Sequence, residues 1–164
     1  MWYRRLSNYR LLPIACLNSL LSSPFSRCST RYLPYSMPAE NTPKTILIAE
    51  DSSVILNLTR KILEQQKYKI LLAKNGGDVL PQLEKNAVDG ILMDINIPVK
   101  DGMQCTRDIR AHADERIRSL PVIAISGNAN DYTMADFQAA GVTAYLPKPL
   151  NFDELVRMVR QYVG

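Results

Sequence analysis

Three carboxylates, a hydroxyl and an ammonium each stand at or just beyond the end of an apolar run in this chain. Glu50-Asp51 follow Ile46-Leu47-Ile48-Ala49, and Asp94 follows Ile91-Leu92-Met93. Ser126 follows Val122-Ile123-Ala124-Ile125, and Lys148 comes two residues after Leu146. Carboxylates brought close together repel one another and cannot all stay ionised without compensation. A divalent cation is the simplest compensation. An oxygen-only ligand set, with no His or Cys among it, points to magnesium or manganese over zinc. Lys148 adds a point charge suited to a phosphate or a carboxylate. If these residues meet, the chemistry is that of a small Mg²⁺ site that also holds an oxyanion. Taken alone, Asp94 reads equally well as a strand-end turn former, since Pro98 and Asp101-Gly102 follow it.

Whether they meet depends on the elements that carry them. Short continuous apolar runs read as buried strands: Ile46 to Ala49, Tyr68 to Ala73, Gly90 to Met93, Pro121 to Ile125 and Thr143 to Leu146. Helical stretches alternate with them. The first runs from about Ser53 to Gln66, with Ser52 or Ser53 as its cap and Ile55, Leu58 and Ile62 as its apolar stripe. A short one opens at Asn75-Gly76-Gly77 and reaches Asn86, with Pro81 tolerable only near its first turn. The others span Gly102 to His112, Asp131 to Ala140 (stopped by Gly141) and Phe152 to Val163. In the last, Phe152, Leu155, Val156, Val159 and Val163 form the stripe, and Asn151 with Glu154 resembles a capping box.

Five strands alternating with five helices predict an α/β fold: right-handed crossovers and a doubly wound parallel sheet covered on both faces. In such a sheet the carboxyl ends of the strands share one edge, where ligands bind. Glu50, Asp51, Asp94, Ser126 and Lys148 are therefore expected to converge.

Residues 1–43 stand apart. Five arginines and no acid precede Glu40, whereas from Glu40 onward 15 Lys and Arg face 16 Asp and Glu. The formal charge of +4 thus belongs to the N-terminal segment. No basic face interleaved with aromatics follows it, so a nucleic-acid partner is not expected. The apolar run Leu11 to Leu21 is too short to span a bilayer, so membrane insertion is not expected either. Three readings of the segment stay open: an organellar transit peptide for a mitochondrion or plastid, an inert extension of a cytoplasmic protein, and a secretory signal. Cys16, Cys28 and Cys105 form neither a metal spacing nor a disulfide framework. Cys105 reads as a buried apolar side chain. His112, the single histidine, and the run Asp114-Glu115-Arg116 read as solvated surface.

From Lys44 to Gly164 the chain resembles the receiver domain of two-component response regulators, the CheY-like fold. The acidic pair, the central Asp94, Ser126, Tyr145 and Lys148-Pro149 carry the resemblance as an ordered set. It implies a flavodoxin-like sheet with strand order 2-1-3-4-5. It implies Asp94 as phosphoacceptor, Asp51 as a direct Mg²⁺ ligand, Glu50 acting through water, and the backbone carbonyl of Asn96 as a further ligand. Ser126 would bond the phosphoryl group and Lys148 would contact one of its oxygens. The Lys148-Pro149 bond would be cis, and Tyr145 would turn inward on phosphorylation. The donor would be a histidine kinase or a histidine phosphotransfer protein. The output would be a shift of the face formed by the fourth and fifth predicted helices and the fifth strand, read by a protein target that the sequence does not name. With one helix after Lys148, the expectation is a stand-alone receiver, and not a turnover enzyme. The principal alternative is a Mg²⁺-dependent aspartyl-phosphate hydrolase, which would place a second Asp where Asn96 stands. A flavodoxin-like cofactor module would need a phosphate-cradling loop in place of Glu50-Asp51.

Overall fold

A computed structural model of the protein describes residues 42–127 and 132–164. The expectations for residues 1–41, for Asn128 and for a helix beginning at Asp131 fall outside the described residues. Five strands form one parallel sheet: β1 (Thr45–Ala49), β2 (Lys69–Ala73), β3 (Gly90–Asp94), β4 (Val122–Ser126) and β5 (Ala144–Pro147). Their order is β2-β1-β3-β4-β5. Between and after them lie α1 (Ser53–Gln65), a 3₁₀ turn (Gly76–Asp78) with α2 (Val79–Lys85), α3 (Gly102–Ala111), α4 (Glu115–Arg118), α5 (Met134–Ala140) and α6 (Phe152–Tyr162).

Alternation along the strands explains why both sheet faces are covered. Side chains of successive strand residues point to opposite faces. Leu47, Ala49, Ile91 and Met93 pack with Val79, Leu83, Cys105 and Ile109, on the side of α2 and α3. Ile46, Ile48, Leu92 and Ile123 pack with Leu63, Leu155 and Val159, on the side of α1 and α6. The central strands β1, β3 and β4 are buried along their whole length, so they carry no polar alternation to read.

Several local expectations are corrected. There are six α-helices among the described residues, not five. The sixth is α4, at Asp114-Glu115-Arg116: the Asp114 carboxylate accepts from the Arg116 N–H at 2.9 Å, and Ile117 is buried. A single apolar residue turns what read as a solvated loop into one helical turn. On α1 the inward ridge is Leu56, Thr59 and Leu63, whereas Leu58 is 45% exposed. The helix offers two ridges, and the polar Thr59 on the inner one disguises it. Ser52 is the N-cap of α1 but makes no side-chain cap bond. The 3₁₀ turn delays α2 to Val79, which puts Pro81 in the first turn, where its missing N–H leaves no bond unmade. The Asn151 side chain accepts from the N–H groups of Asp153 and Glu154, but the Glu154 carboxylate pairs with Arg157. The reciprocal box is at α5, where Thr133 and Asp136 cap each other.

Candidate functional site

Strand register brings the chemistry-bearing residues together step by step. Ala49 of β1 pairs with Met93 of β3, so Glu50 and Asp94 emerge side by side at the same edge. Asp94 pairs with Ile125 of β4, so Ser126 follows beside it. Ser126 pairs with Pro147 of β5, and the Lys148 N–H donates to the Ser126 carbonyl at 2.8 Å, which turns Lys148 back over the edge. Each step needs a parallel neighbour in register. Antiparallel pairing would send these residues to opposite edges.

One carboxylate oxygen from each of Glu50, Asp51 and Asp94 lies within 4.8 Å of the others. Glu50 and Asp94 are each 2% exposed, while Asp51 is open to solvent. Lys148 Nζ sits 2.7 Å from Asp94 Oδ2 and 3.1 Å from Glu50 Oε2. One ammonium thus bonds two of the three acidic side chains, Asp94 and Glu50. Burial pushes the Glu50 carboxyl above the usual carboxylate range, the Asp94 charge adds to that, and the Lys148 contacts only partly offset both. For Lys148, burial acts to lower its pKa, yet the bonds to Asp94 and Glu50 outweigh it and hold the ammonium above its usual value. The site therefore carries excess negative charge in a half-buried cleft. Its donors are all oxygens, and a hard divalent cation such as Mg²⁺ fits both the donor type and the charge. Asp51, as the exposed member, is the one through which such a cation is reached from solvent.

The loop after β3 shapes the other wall. The Asn96 N–H donates to Asp94 Oδ1 at 3.1 Å, so the two Asp94 oxygens are held by different groups, Asn96 on one and Lys148 on the other. The Gly102 N–H closes the loop onto the Ile95 carbonyl at 2.9 Å. A Cβ on Gly102 would fall against the Asp94 carbonyl oxygen and within 2.9 Å of Ile95 Cα. Only glycine permits α3 to start this close to the acidic strand end. Lys148-Pro149 is a cis peptide.

Ser126 is buried at the end of β4. Tyr145 lies one strand away, paired with Ala124. Its ring stacks on Phe137 of α5, with centroids 4.9 Å apart and planes at 28°. Its hydroxyl is buried with no hydrogen-bond partner among the described residues. His112 is more structured than a solvated reading allows: its Nδ1 accepts from the Asp114 N–H at 3.1 Å and its Nε2 faces Glu84 at 3.4 Å. It lies away from the acidic cluster and pins the turn into α4.

Sequence reasoning placed Glu50, Asp51, Asp94, Ser126 and Lys148 at one edge of the sheet, and the family resemblance added Asn96 and Tyr145. It missed Phe137 as the ring beneath Tyr145, and Gly102 as the close approach behind Asp94. For Gly102 a signal existed, a glycine at a helix start immediately after an N-capping Asp101. For Phe137 none did, because an aromatic on an amphipathic helix reads first as core.

The comparisons agree with this geometry. A family model described as the response regulator receiver domain matches residues 46–160. The CAI-1 autoinducer sensor kinase/phosphatase CqsS of Vibrio cholerae is 32% identical over 120 residues, which are 73% of this chain and 17% of that protein. The polar-differentiation response regulator DivK of Brucella anthropi is 29% identical over 122 residues, covering 74% of this chain and 98% of that one. The chain thus spans about a sixth of the length of the sensor kinase and nearly all of the response regulator. The receiver domain of a sensor histidine kinase from Pseudomonas aeruginosa PAO1, solved with a magnesium ion in its active site cleft, superimposes with a TM-score of 0.68. It is 33% identical, and the match covers 75% of this chain and 99% of that one. With the family match over most of its length, five parallel strands in the order 2-1-3-4-5 and an acidic cluster at their carboxyl ends, this chain belongs to the response regulator receiver domain family, the phosphoacceptor modules of two-component signalling.

Proposed function

We propose that Asp94 is the phosphoacceptor of this receiver. The observation that carries the reading is the split coordination of its carboxylate: Oδ2 is held by Lys148 Nζ at 2.7 Å and Oδ1 by the Asn96 N–H at 3.1 Å. A nucleophile so oriented attacks phosphorus with a fixed oxygen, and phosphoryl transfer asks mainly for positioning and charge neutralisation. One Asp94 oxygen bonds to phosphorus as the N–P bond of a donor phosphohistidine breaks and its electron pair returns to the imidazole. Lys148 holds a phosphoryl oxygen, and the Ser126 hydroxyl donates to another. Asp51, Asp94 and the Asn96 carbonyl would hold Mg²⁺, with Glu50 acting through water, and the bound cation would supply the remaining charge neutralisation.

The product is a signal. Phosphorylation replaces a carboxylate with a larger, more negative group, and Ser126 and Tyr145 respond to it. The face formed by α5, β5 and α6 then differs between the two states and is read by a protein target. A histidine kinase or a histidine phosphotransfer protein is the donor. The domain spans residues 44–164 behind an extension of residues 1–43 and works in the cytoplasm, or in an organelle if that extension is a transit peptide. Among the described residues no helix is long and apolar enough to cross a membrane. The hydrolase reading asks for a second carboxylic acid two residues beyond the nucleophile, where Asn96 instead engages Asp94 through its backbone. That observation favours a switch that holds its phosphoryl group over an enzyme that turns substrate over.

Incubation with Mg²⁺ and acetyl phosphate should add one acid-stable, alkali-labile phosphoryl group at Asp94. An adduct that persists in Asp94→Asn would overturn the assignment, and rapid turnover of small phosphate esters would favour the hydrolase.

A further inference from the structure

The loop that carries Asn96 has a support outside the acidic site. The turn after β2 is tightly built: Asn75 Oδ1 accepts from the Asp78 N–H at 3.0 Å and Asn75 Nδ2 donates to Asp78 Oδ2 at 2.6 Å. From this turn the Gly76 N–H donates to the Pro98 carbonyl at 3.0 Å, in the middle of the loop between β3 and α3. The Cys105 thiol, 1% exposed, donates to the Gly76 carbonyl at 3.4 Å and lies 3.7 Å from the Lys100 carbonyl. A Cβ on Gly76 would strike the Lys100 carbonyl group, 2.8 Å from its carbon, and would reach 2.9 Å from Cys105 Sγ. Ordinary contact begins at 3.4 Å, and the obstacle is backbone rather than a flexible side-chain tip.

The remaining ends of the loop are also tied. Gly102 N–H bonds the Ile95 carbonyl at 2.9 Å, and Lys100 Nζ bonds Asp108 of α3 at 2.7 Å. Between these ties lie Asn96, Ile97, Pro98 and Val99, and Val99 has φ 75, a conformation a β-branched residue adopts only when its surroundings impose it. The glycine turn meets the loop on either side of Val99, at the Pro98 and Lys100 carbonyls.

We propose that Gly76, with the Cys105 thiol behind it, is a positioning residue for the phosphoacceptor site. It sets the height of the loop on which the Asn96 backbone meets Asp94, and so sets metal affinity and transfer rate without touching either reactant. This rests on the reading of Asp94 and Asn96 given above. Gly76→Ala must push the loop outward by a substantial fraction of an ångström. A displacement of about 1 Å at a reacting geometry costs about 100-fold in rate.

The test uses the full chain. Mg²⁺ affinity is measured by calorimetry, the rate of acetyl phosphate labelling at saturating Mg²⁺ by mass, and the melting temperature in parallel. Gly76→Ala should weaken Mg²⁺ binding by about tenfold or more and slow labelling by about 100-fold, at temperatures where it is fully folded. Arg110→Ala is the control. Its guanidinium bonds the carbonyls of Gly141, Arg118 and Leu120, none of them in the loop after β3, so it should lower the melting temperature while binding and labelling stay near wild type. Should Gly76→Ala fail to fold, Cys105→Ala takes its place, where loss of one neutral hydrogen bond should weaken Mg²⁺ binding by about threefold or more. A lower melting temperature with unchanged Mg²⁺ affinity and labelling rate makes the contact merely structural and overturns the proposal. If the wild-type chain itself neither binds Mg²⁺ nor accepts a phosphoryl group, the reading of Asp94 fails instead, and the two failures are told apart.

Discussion

Lys148 Nζ stands 2.7 Å from Asp94 Oδ2 across 54 residues of sequence, and it is the nearest positive charge to a cluster of three carboxylates among the described residues. Lys148→Met removes it and leaves Glu50 and Asp94 facing each other. Acetyl phosphate labelling of Asp94 should fall by about 100-fold or more, the scale of losing one charge-stabilising donor in a preorganised site. The variant should also melt lower than wild type without metal, and Mg²⁺ should restore more of its stability than it adds to wild type. Differential scanning calorimetry with and without Mg²⁺ reads the difference.

Glu50 is strained by its own burial. Its folded pKa is raised by desolvation and by Asp94, so at neutral pH the ionised form weakens the fold. In sign terms, a raised carboxyl supports stability below its unfolded value near 4.5, and that support is lost as pH rises through the folded value. Glu50→Gln should therefore raise the metal-free melting temperature at pH 7 while weakening Mg²⁺ binding, a trade of function against stability. A variant that melts lower without metal and binds Mg²⁺ as well as wild type would contradict this account.

Cys105 offers a cleaner pH test. Burial pushes its thiol from 9.0 up to about 11. The folded state keeps the proton that the unfolded state gives up. The stabilisation this represents is fully present below 9.0 and is lost as pH rises through about 11, roughly 2–3 kcal/mol in all. Urea unfolding between pH 8 and 11 (about the titration window) should show Cys105→Ala losing less stability than wild type. Peptide mapping after iodoacetamide at pH 8 should find Cys105 unmodified in the native chain.

Arg110 binds three carbonyls at once: Gly141 at 2.9 Å, and Arg118 and Leu120 at 2.8 Å each. It ties α3 to the end of α4 and to the left-handed turn at Gly141, φ 84, that follows α5. Arg110→Ala should cost about 2–4 kcal/mol in chemical denaturation. Mg²⁺ affinity should be unchanged, since none of those carbonyls belongs to the acidic site.

The buried Tyr145 hydroxyl has no partner among the described residues, and such a group carries a desolvation cost of about 1–3 kcal/mol. Tyr145→Phe keeps the stack on Phe137 and removes that cost, so the metal-free protein should gain about 1 kcal/mol. Labelling of Asp94 should continue at the wild-type rate. A loss of stability would mean that the hydroxyl is bonded after all in the unphosphorylated state.

The sheet and the residues at its edge are legible in residue type and spacing. Apolar runs alternating with helical stretches admit few topologies, and in a parallel sheet all carboxyl ends share an edge, so Glu50, Asp51, Asp94, Ser126 and Lys148 had to converge whatever the details of packing. Packing between elements settles what depends on which of two local solutions a neighbour selects. Leu56, Thr59 and Leu63 face the sheet in place of the ridge carrying Leu58, because the sheet accepts one side of α1 and periodicity does not say which. Ile117 draws three polar residues, Glu115, Arg116 and Arg118, into α4 because a buried place exists for it. Phe137 lies beneath Tyr145, and Gly76 beneath the loop after β3, through side-chain and backbone contacts between separate elements that periodicity along the chain does not encode. Residue type and spacing set which groups could react, and side-chain packing set where, and how firmly, they are held.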